Sequence, residues 1–471
     1  MPTDLTAFFA PKSVAIVGAG ERPTSSGGAV LRNLQISGYD GEIIPINPKG
    51  GEIHGLPVRK SLAELATPAD LVVVLVRPDI VPDIMRDAAA TGHRNVLILP
   101  GGFSEAGADG LAREAVVSKI ASDAGITIGG PNSAGLVDIA GGNKFAATFL
   151  QRTPRGGEVA FISQSGALIE EVVAKSHEMN LKIGTLASVG NAMHIGVTEY
   201  LDYLGRRPDC SCVLLYFENL RQAEKMGEIA AEIAAERPVV ALLPGRTEPA
   251  RRAAVAHTGV MPREDAELQR FCDDAGVLRV RSLRSLMLAA KGFGTYPTGI
   301  GRNVFLLSNS GGPGVITTDR LSVDGLLMPD LPEAITAKIR PTVPPEASLS
   351  NPLDLLADAR EDRFAASLEA ALGPDGDVYD AILMIHVVPF MVDAGPVIER
   401  LAALSQGAKK PLMHAMMGTL HKKDAWFAEM EDAGVPMFND VEEMAETAAL
   451  LADYREMRGR QALRKKNATA R

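Results

Sequence analysis

Short apolar runs alternate with amphipathic stretches along most of the chain. In roughly the first 150 residues, several runs rich in β-branched residues have the length of buried strands. Each run leads into a polar or glycine- and proline-rich turn and then into a helical pattern. Continuous apolar strands between helices are typical of a parallel sheet covered on both faces. The strands are predicted over residues 13–17, 43–46, 71–76, 96–99 and 126–128.

The same alternation occurs twice more. After a linker at residues 151–157 a second set of strands follows, and a third set follows residue 299. We therefore expect an α/β protein with three domains, at residues 1–152, 153–298 and 299–471. The strands of the two later sets are predicted over residues 159–162, 213–217, 239–243, 304–307, 381–385, 411–416 and 435–438.

Composition excludes several classes of protein. The 471 residues carry a formal net charge of -10, spread along the chain, which argues against a nucleic-acid partner. No apolar run approaches the ~20 residues that a membrane span requires, and the first residues lack the features of a secretory signal. Three cysteines, two of them close together, suit neither a zinc site nor a disulfide framework. We expect a cytoplasmic protein without a membrane association or a metal site.

The loop after the first strand is close to a dinucleotide-binding fingerprint but departs from it. Pro23 occupies the place of the third glycine, and Asn47, after the second strand, replaces the acidic residue that would bind a ribose hydroxyl. These departures disfavour NAD and favour a ligand with additional phosphate. Lys49 is either a solvated turn residue or a phosphate ligand. Backbone N–H groups near Gly18 and Gly27 would receive a pyrophosphate.

Three later strand ends are predicted to line the same crevice. They are the turn at residues 76–78 and the loops at residues 100–105 and 129–133. Ligands of a parallel α/β sheet bind beyond the carboxyl ends of its strands. The first domain is therefore expected to have one binding crevice, lined by several loops.

Polar residues also follow the strands of the second segment. Ser163, Gln164 and Ser165 precede a predicted helix, whose start is either an ordinary serine cap or a phosphate site. A similar turn at residues 188–191 ends the next strand. Glu218 follows a further strand and is either a solvated turn residue or a carboxylate that orients a histidine and raises its basicity.

His257 lies in a long segment of small residues and arginines, between a predicted strand and a helix that begins near residues 263–265. On a loop of this kind a histidine can be exposed and mobile, whereas a core histidine cannot. It is therefore either an ordinary histidine or the centre of the chemistry. The histidines show no metal-binding spacing, and we expect His386 and His414 to be structural or surface residues.

Eight segments together give the chain an almost end-to-end resemblance to the α subunits of ADP-forming acyl-CoA synthetases, which are relatives of succinyl-CoA synthetase. Each segment is weakly specific alone, and their joint order and spacing carry the resemblance. They are Gly27-Gly28-Ala29-Val30-Leu31-Arg32-Asn33-Leu34, Asn47-Pro48-Lys49-Gly50-Gly51, Gly102-Phe103-Ser104-Glu105, Gly130-Pro131-Asn132, Ser163-Gln164-Ser165-Gly166-Ala167-Leu168, His257-Thr258-Gly259, Gly311-Gly312-Pro313-Gly314 and Asn351-Pro352-Leu353-Asp354.

The resemblance implies a Rossmann-like CoA-binding domain followed by two flavodoxin-like domains of the succinyl-CoA synthetase type. It also implies a ligase that reversibly converts acyl-CoA, ADP and phosphate to a carboxylic acid, CoA and ATP, through an acyl phosphate and a phosphohistidine. His257 matches the phosphorylated histidine, and Glu218 matches the carboxylate that holds it. The expected phosphate-binding residues are Ser163, Gln164, Ser165, Gly166, Gly190 and Asn191, and the expected CoA-binding residues are Gly18, Gly20, Arg22, Gly27, Asn47, Lys49, Val76, Pro78, Gly102, Phe103 and Asn132.

The ATP-grasp domain that holds ADP or ATP with magnesium in this family has no counterpart in the sequence. We therefore expect a separate ATP-grasp β subunit, in the α2β2 assembly usual for the family. The carboxylic acid and the preference for ADP or GDP stay open. Pro262 and Arg263 replace residues that are small in relatives, which also leaves open how the His257 segment moves.

Two other functions share parts of this pattern. A non-catalytic sensor or regulatory module would also bind CoA or acyl-CoA, but His257, Glu218 and residues 163–166 are retained here. An NAD-dependent oxidoreductase would use the first domain, but Pro23 and Asn47 disfavour it.

Overall fold

The computed structural model describes residues 3–22, 24–220, 222–258, 263–390, 392–418 and 420–469, without the side chains of residues 256–258 and 464–469. The chain forms two compact units, Met1–Leu286 and Met287–Arg471. Helices and strands alternate in both units, as the pattern of apolar residues predicts.

The first unit forms, in its described residues, two large sheets and a small antiparallel hairpin at residues 52–57. Its strands are β1 (Ser13–Val17), β2 (Glu42–Ile46), β3 (Glu52–Ile53), β4 (Leu56–Pro57), β5 (Leu71–Val74), β6 (Asn95–Ile98), β7 (Thr127–Gly129), β8 (Gly135–Asp138), β9 (Phe145–Thr148), β10 (Val159–Ser163), β11 (Ile183–Ser188), β12 (Cys212–Tyr216), β13 (Val239–Leu242) and β14 (Leu278–Val280). Its helices are α1 (Thr6–Phe9), α2 (Ser26–Ile36), α3 (Val81–Ala90), α4 (Ala108–Ala124), α5 (Gly166–Glu178), α6 (Val197–Gly205), α7 (Ala223–Ala234), α8 (Glu248–Thr258) and α9 (Asp265–Ala275). Helix α10 (Leu283–Thr295) begins in the first unit and ends in the second.

Five parallel strands form the first sheet, in the order β2-β1-β5-β6-β7. The run Leu-Val-Val-Val of β5 is buried along its whole length, as expected of a central parallel strand. Strand β1 has β2 on one side and β5 on the other. The order of strands therefore reverses at β1, and such a switch point opens a crevice at the carboxyl end of the strand.

The second sheet has seven strands, in the order β14-β13-β12-β10-β11-β8-β9. Five of them are parallel, and the hairpin of β8 and β9 adds to β11 in antiparallel orientation. The order reverses at β10, so a second switch point lies at Ser163. The hairpin begins at Gly135, before the boundary predicted at residue 152, and the three domain ranges stay a prediction.

One apolar core joins the two sheets of the first unit. It contains side chains from β1, β5 and β6 and also from β8, β10 and β12. Near its centre, the ring of Tyr200 in α6 contacts that of Phe9 in α1 edge to face, with centroids 5.9 Å apart. The loops that follow the two sheets are thus fixed with respect to each other by a shared core.

In the second unit the described strands are β15 (Val304–Ser308), β16 (Ser348–Leu349), β17 (Leu353–Asp354), β18 (Ala381–Val388), β19 (Leu412–Gly418) and β20 (Met437–Phe438). The described helices that follow α10 are α11 (Gly311–Val323), α12 (Glu333–Ile339), α13 (Glu361–Leu372), α14 (Gly395–Ser405), α15 (Lys423–Asp432) and α16 (Val441–Thr469). These strands form a sheet in the order β16-β17-β15-β18-β19-β20, and the order also reverses near the middle of the sheet. The turn after β15 repeats the turn after β10: the Ser308 hydroxyl accepts from Ser310 N at 3.0 Å and donates to Ser310 O at 2.9 Å.

His386 and His414 lie inside strands β18 and β19 and are buried, so they are structural rather than surface residues. Their rings stack with centroids 6.2 Å apart. Neither ring nitrogen of His414 has a hydrogen-bond partner among the described residues. Burial lowers the pKa of His386 to about 4 and holds that of His414 well below its usual value, with His386 nearby as a second cause. Both rings are therefore neutral at pH 7.

Candidate active site

The turn after β1 lies directly against the start of α2. A Cβ atom on Gly27 would overlap the carbonyl oxygen of Gly18, so only glycine permits this approach of the helix to the strand. Ser25 caps the helix by accepting from Gly28 N at 3.2 Å. Gly20 lies in the same turn, at the carboxyl end of the strand at which the sheet order reverses. Pro23, which breaks the dinucleotide fingerprint, lies outside the described residues.

The turn after β2 is tied to the turn after β1. The amide of Asn47 donates to Ala19 O at 2.8 Å, and its side-chain oxygen accepts from Lys49 N at 3.1 Å. The side chains of Lys49 and Arg22 are exposed to solvent beside these turns. Asn47 therefore acts through its neighbours by fixing the turn, and the two cations are available to an anionic ligand.

The loop after β6 contacts the turn after β5. Pro78 packs against Gly102, whose φ of +98° and close neighbour leave no space for a side chain, and Val76 lies half-buried in the same turn. The side chain of Phe103 is fully buried in the core, so a contact of this residue with a ligand is left to its backbone. The carboxylate of Glu105 accepts from the backbone N–H groups of Gly102 and Phe103.

The loops after β7 and β11 come from different sheets and are in direct contact. The backbone N–H of Asn191 donates to Pro131 O at 2.9 Å, and the Asn132 amide donates to Asn191 Oδ1 at 3.3 Å. Gly190 has a φ of +61°, and a Cβ there would overlap the carbonyl oxygens of Pro131 and Asn132. Residues predicted for CoA binding and for phosphate binding thus meet at this junction.

The turn after β10 leads into α5. Ser163 is fully buried, and its hydroxyl accepts from Ser165 N at 3.1 Å and donates to Ser165 O at 2.9 Å. Ser165 caps the helix by accepting from Leu168 N at 3.4 Å. Ser163 therefore fixes the backbone of the turn from its buried side. The first N–H groups of a helix have no intrahelical partner, so those of Gly166 and Ala167 at the start of α5 can bind an anion.

A cleft of about 560 Å³ joins the strand ends of the first sheet to the start of α5. Asn132, Gln164, Ser165 and Gly166 are the predicted site residues that line it. The full lining consists of Ser26, Leu75, Leu99, Pro100, Gly101, Asn132, Ser133, Ala134, Phe149, Leu150, Gln164, Ser165, Gly166, Ala167 and Glu170. Asn132, which is predicted to bind CoA, therefore lines the same cleft as three of the residues predicted to bind phosphate.

Glu218 is held beside this helix start by Gln164. The backbone N–H of Glu218 donates to the Gln164 side-chain oxygen at 2.7 Å, and Gln164 N donates to Tyr216 O at 3.0 Å. The Tyr216 hydroxyl donates to Glu218 Oε1 at 3.1 Å. Burial, and then the charge of Glu218, raises the pKa of Tyr216, so this hydroxyl remains a donor at neutral pH.

The His257 segment is a helix, not the loop that its small residues suggested. Helix α8 covers Glu248–Thr258 and includes His257, whose side chain lies outside the described residues, as do residues 259–262. Alanine and arginine are strong helix formers, and Arg252 pairs with Glu248 one turn earlier at 2.6 Å. At the far side of the segment, Arg251 pairs with Glu264 at 3.3 Å, and α9 follows where the sequence predicts it.

Three residues of this region were not predicted as site residues. Tyr216 orients Glu218, Glu105 links the loops of the two sheets, and Glu170 lines the cleft. Glu105 lies in the segment Gly102-Phe103-Ser104-Glu105, which carries part of the family resemblance and could have indicated a role for this residue. No sequence motif pointed to Tyr216 or Glu170, because their places in the site depend on how β12 and α5 pack.

Comparisons with known proteins identify the family. A CoA binding domain model matches residues 12–139, and a succinyl-CoA ligase like flavodoxin domain model matches residues 156–293. The α subunit of ADP-forming acetate–CoA ligase I from Pyrococcus furiosus is 30% identical over 445 residues, which are 93% of this chain and 95% of that protein. The chain belongs to the ADP-forming acyl-CoA synthetase family.

Further relatives of this synthetase agree. The α subunit of ADP-forming acetate–CoA ligase II from the same organism is 29% identical over 448 residues, which are 94% of this chain and 96% of that protein. A dinucleotide forming acetyl-coenzyme A synthetase 1 from Ca. Korarchaeum cryptofilum, solved in complex with phosphate and ADP, has a TM-score of 0.88 at 27% identity, covering 97% of this chain and 98% of that one.

These comparisons confirm several predictions. The chain is an α subunit of an ADP-forming acid–CoA ligase, an enzyme class that forms carbon–sulfur bonds, and its α/β fold class is the predicted one. The alternative of a non-catalytic CoA sensor is not favoured, because the relatives are ligases. Among the described residues, no helix has the length and apolar character to cross a bilayer.

Proposed function

We propose that this α subunit, together with an ATP-grasp β subunit, reversibly converts acyl-CoA, ADP and phosphate to a carboxylic acid, CoA and ATP. The observation that carries the proposal is the shared cleft, which joins the strand ends of the first sheet to the start of α5. A thioester and a phosphate ion can meet only if their binding sites open into the same space.

CoA would bind along the turns of the first sheet. The exposed cations Arg22 and Lys49 and the start of α2 at Gly27 supply charge and N–H groups for its phosphates. The thioester would then extend past Gly102 toward Asn132, at the wall of the cleft. Gly18, Gly20, Asn47, Val76, Pro78 and the backbone of Phe103 would complete this path by shaping the turns.

Phosphate would bind at the start of α5 and beside the turn of Gly190 and Asn191. One of its oxygens attacks the thioester carbonyl carbon, the carbon–sulfur bond breaks, and CoA leaves as the thiolate, which takes up a proton. The acyl phosphate stays at the helix start, where the N–H groups of Gly166 and Ala167 stabilise its negative oxygens. Ser163 and Ser165 fix the turn that aims these groups.

His257 would then attack the phosphorus atom, and the bond between phosphorus and the carboxylate oxygen breaks to release the acid. Glu218 would orient the imidazole and stabilise its positive charge, because Gln164 and Tyr216 hold this carboxylate beside the helix start. ADP on the partner finally accepts the phosphoryl group from His257. Magnesium on the ATP-grasp subunit would neutralise the nucleotide phosphates during this last step.

The wider setting is also a proposal. A cytoplasmic location fits a chain whose cysteines, Cys210, Cys212 and Cys272, are all buried and unbridged. The α2β2 assembly is proposed from the resemblance to the family. The bounds of the three domains, 1–152, 153–298 and 299–471, are likewise proposed.

ATP formation by the complex of this chain with its ATP-grasp partner tests the function. With acetyl-CoA or a longer acyl-CoA, ADP and phosphate, ATP should form, and omission of phosphate should stop it. A Glu218→Gln variant should lose ~100-fold or more in rate while CoA still binds, since orienting and electrostatic groups contribute on this scale. The control is Glu171→Gln, an exposed carboxylate on α5 whose one ion pair among the described residues is with Lys175, at 3.4 Å. Tighter binding of NAD than of CoA in calorimetry would refute the proposal.

A further inference from the structure

Glu105 occupies the contact between the loops of the two sheets. It follows β6 of the first sheet, and its carboxylate accepts from the backbone N–H groups of Gly102 and Phe103, the second at 3.2 Å. The same carboxylate accepts from the side-chain amide of Asn191, which follows β11 of the second sheet. One acidic side chain therefore binds the backbone of one loop and the side chain of the other.

Asn191, the partner of Glu105, also forms hydrogen bonds with two loops of the first sheet. The Asn191 amide also donates to Ser104 Oγ at 3.2 Å, and its oxygen accepts from the Asn132 amide at 3.3 Å. Its backbone N–H donates to Pro131 O at 2.9 Å. The orientation of Asn191 thus depends on loops that follow two strands of the first sheet, although Asn191 belongs to the second.

The carboxylate is suited to this position because it is charged. Partial burial opposes ionisation, but the Asn191 amide and the backbone N–H groups more than compensate, and they hold the pKa of Glu105 below its usual value. A charged acceptor forms stronger hydrogen bonds than a neutral one. The bonds to both loops therefore persist across the neutral range of pH.

Both loops belong to the sites assigned above, one to CoA and the other to phosphate. A ligand that orders residues 102–103 also fixes the backbone donors of Glu105. The carboxylate then fixes the amide of Asn191 beside the phosphate site. By thermodynamic reciprocity, phosphate at that site must favour CoA at the first loop to the same extent.

We propose that Glu105 is a positioning residue that couples CoA binding to phosphate binding, through its simultaneous bonds to Gly102, Phe103 and Asn191. The inference rests on the proposed function, because it takes the CoA and phosphate sites from there. It gives the enzyme a simple advantage. The phosphate site is completed when a thioester is present to be attacked.

The chain contains a matched control. Glu114, in α4, accepts from Ser104 N at 3.0 Å. It thus holds the same loop by a carboxylate–backbone bond, and none of the described hydrogen bonds joins it to the second sheet. Loss of Glu114 loosens the loop without cutting the bridge to Asn191.

Calorimetric titration of the full chain with CoA, in the absence and in saturating presence of inorganic phosphate, tests the coupling. CoA represents the thioester, since it shares every contact except the acyl group. In the native chain phosphate should tighten CoA binding by about 5-fold or more, the usual lower range of coupling between sites. In Glu105→Ala this ratio should fall to about one, and in Glu114→Ala it should keep its native value. Glu105→Gln should retain part of the ratio, because its amide oxygen still accepts from the loop backbone.

Three results would overturn the inference: a native ratio of one, a native ratio retained in Glu105→Ala, or an equal loss of the ratio in Glu114→Ala. The Gln variant is nearly isosteric, so it replaces the Ala variant if that variant does not fold, and a full native ratio in Glu105→Gln would then overturn the inference. A native chain that binds no CoA at all would instead refute the proposed function. The two failures are therefore distinguishable.

Discussion

The close approach of α2 to β1 makes the Gly27→Ala substitution a sharp test of the CoA site. The added Cβ would overlap Gly18 O and lie 3.0 Å from Gly18 C and 3.2 Å from Ala19 Cα. These are backbone atoms that cannot rotate away, so the start of the helix must move by roughly 1 Å in a closely packed interior. Overpacking of this kind costs ~1–3 kcal/mol, and the better helix propensity of alanine returns ~0.5–1 kcal/mol.

The helix start is also where the phosphates of CoA are expected to bind. A displacement of its N–H groups should weaken CoA binding by ~10-fold, which corresponds to ~1.4 kcal/mol. Calorimetry with CoA and unfolding in urea measure the two effects. Gly312→Ala is the control, since Gly312 is likewise the second residue of a helix, and a Cβ there meets nothing within 4 Å. If Gly27→Ala bound CoA and unfolded as Gly312→Ala does, the assignment of this helix start to CoA would be wrong.

Two further predictions follow from hydrogen bonding and burial. Tyr216→Phe removes the hydroxyl that donates to Glu218 at 3.1 Å. Loss of this hydrogen bond costs ~1 kcal/mol, so turnover of the complex should fall about 5-fold while its affinity for CoA stays unchanged. Unchanged turnover would contradict the role of Tyr216. Burial keeps the rings of His386 and His414 neutral in the folded chain, and the pKa of His386 is lowered to about 4. In the unfolded chain both imidazoles are exposed to water and take up protons below about pH 6.5. The unfolded state then binds more protons, so the free energy of unfolding should fall by ~2 kcal/mol per histidine from pH 7 to pH 5. Urea unfolding should show this loss, and it should shrink in the double variant His386→Leu, His414→Met but not in His421→Gln, whose side chain is exposed.

Much of the fold could be predicted because buried parallel strands have a simple pattern. The first strand was predicted at residues 13–17 and is observed there, since an apolar run between polar turns has one stable register in a covered sheet. The chemistry-bearing loops could also be located, because they follow the carboxyl ends of such strands. Ser163 and the turn at Gly18 are both at switch points for this reason.

Two features could not be predicted because they depend on packing between distant segments, and a third, the helix at His257, was interpreted wrongly. The hairpin of β8 and β9 is short, and only its pairing with β11 makes it part of the second sheet. The small residues around His257 were interpreted as a loop, although alanine and arginine favour the helix that forms. The bond between Glu105 and Asn191 joins residues 86 positions apart, and it exists only because the two sheets share a core.

The central claim is that His257 carries the phosphoryl group between the acyl phosphate and the nucleotide. The complex of this chain with its ATP-grasp subunit should be incubated with γ-labelled ATP and magnesium, and the labelled residue mapped by mass spectrometry. We predict one phosphate on His257, labile in acid and stable in base, that is released on addition of a carboxylic acid and CoA. Label on another residue, or label that survives in His257→Ala, would contradict the account.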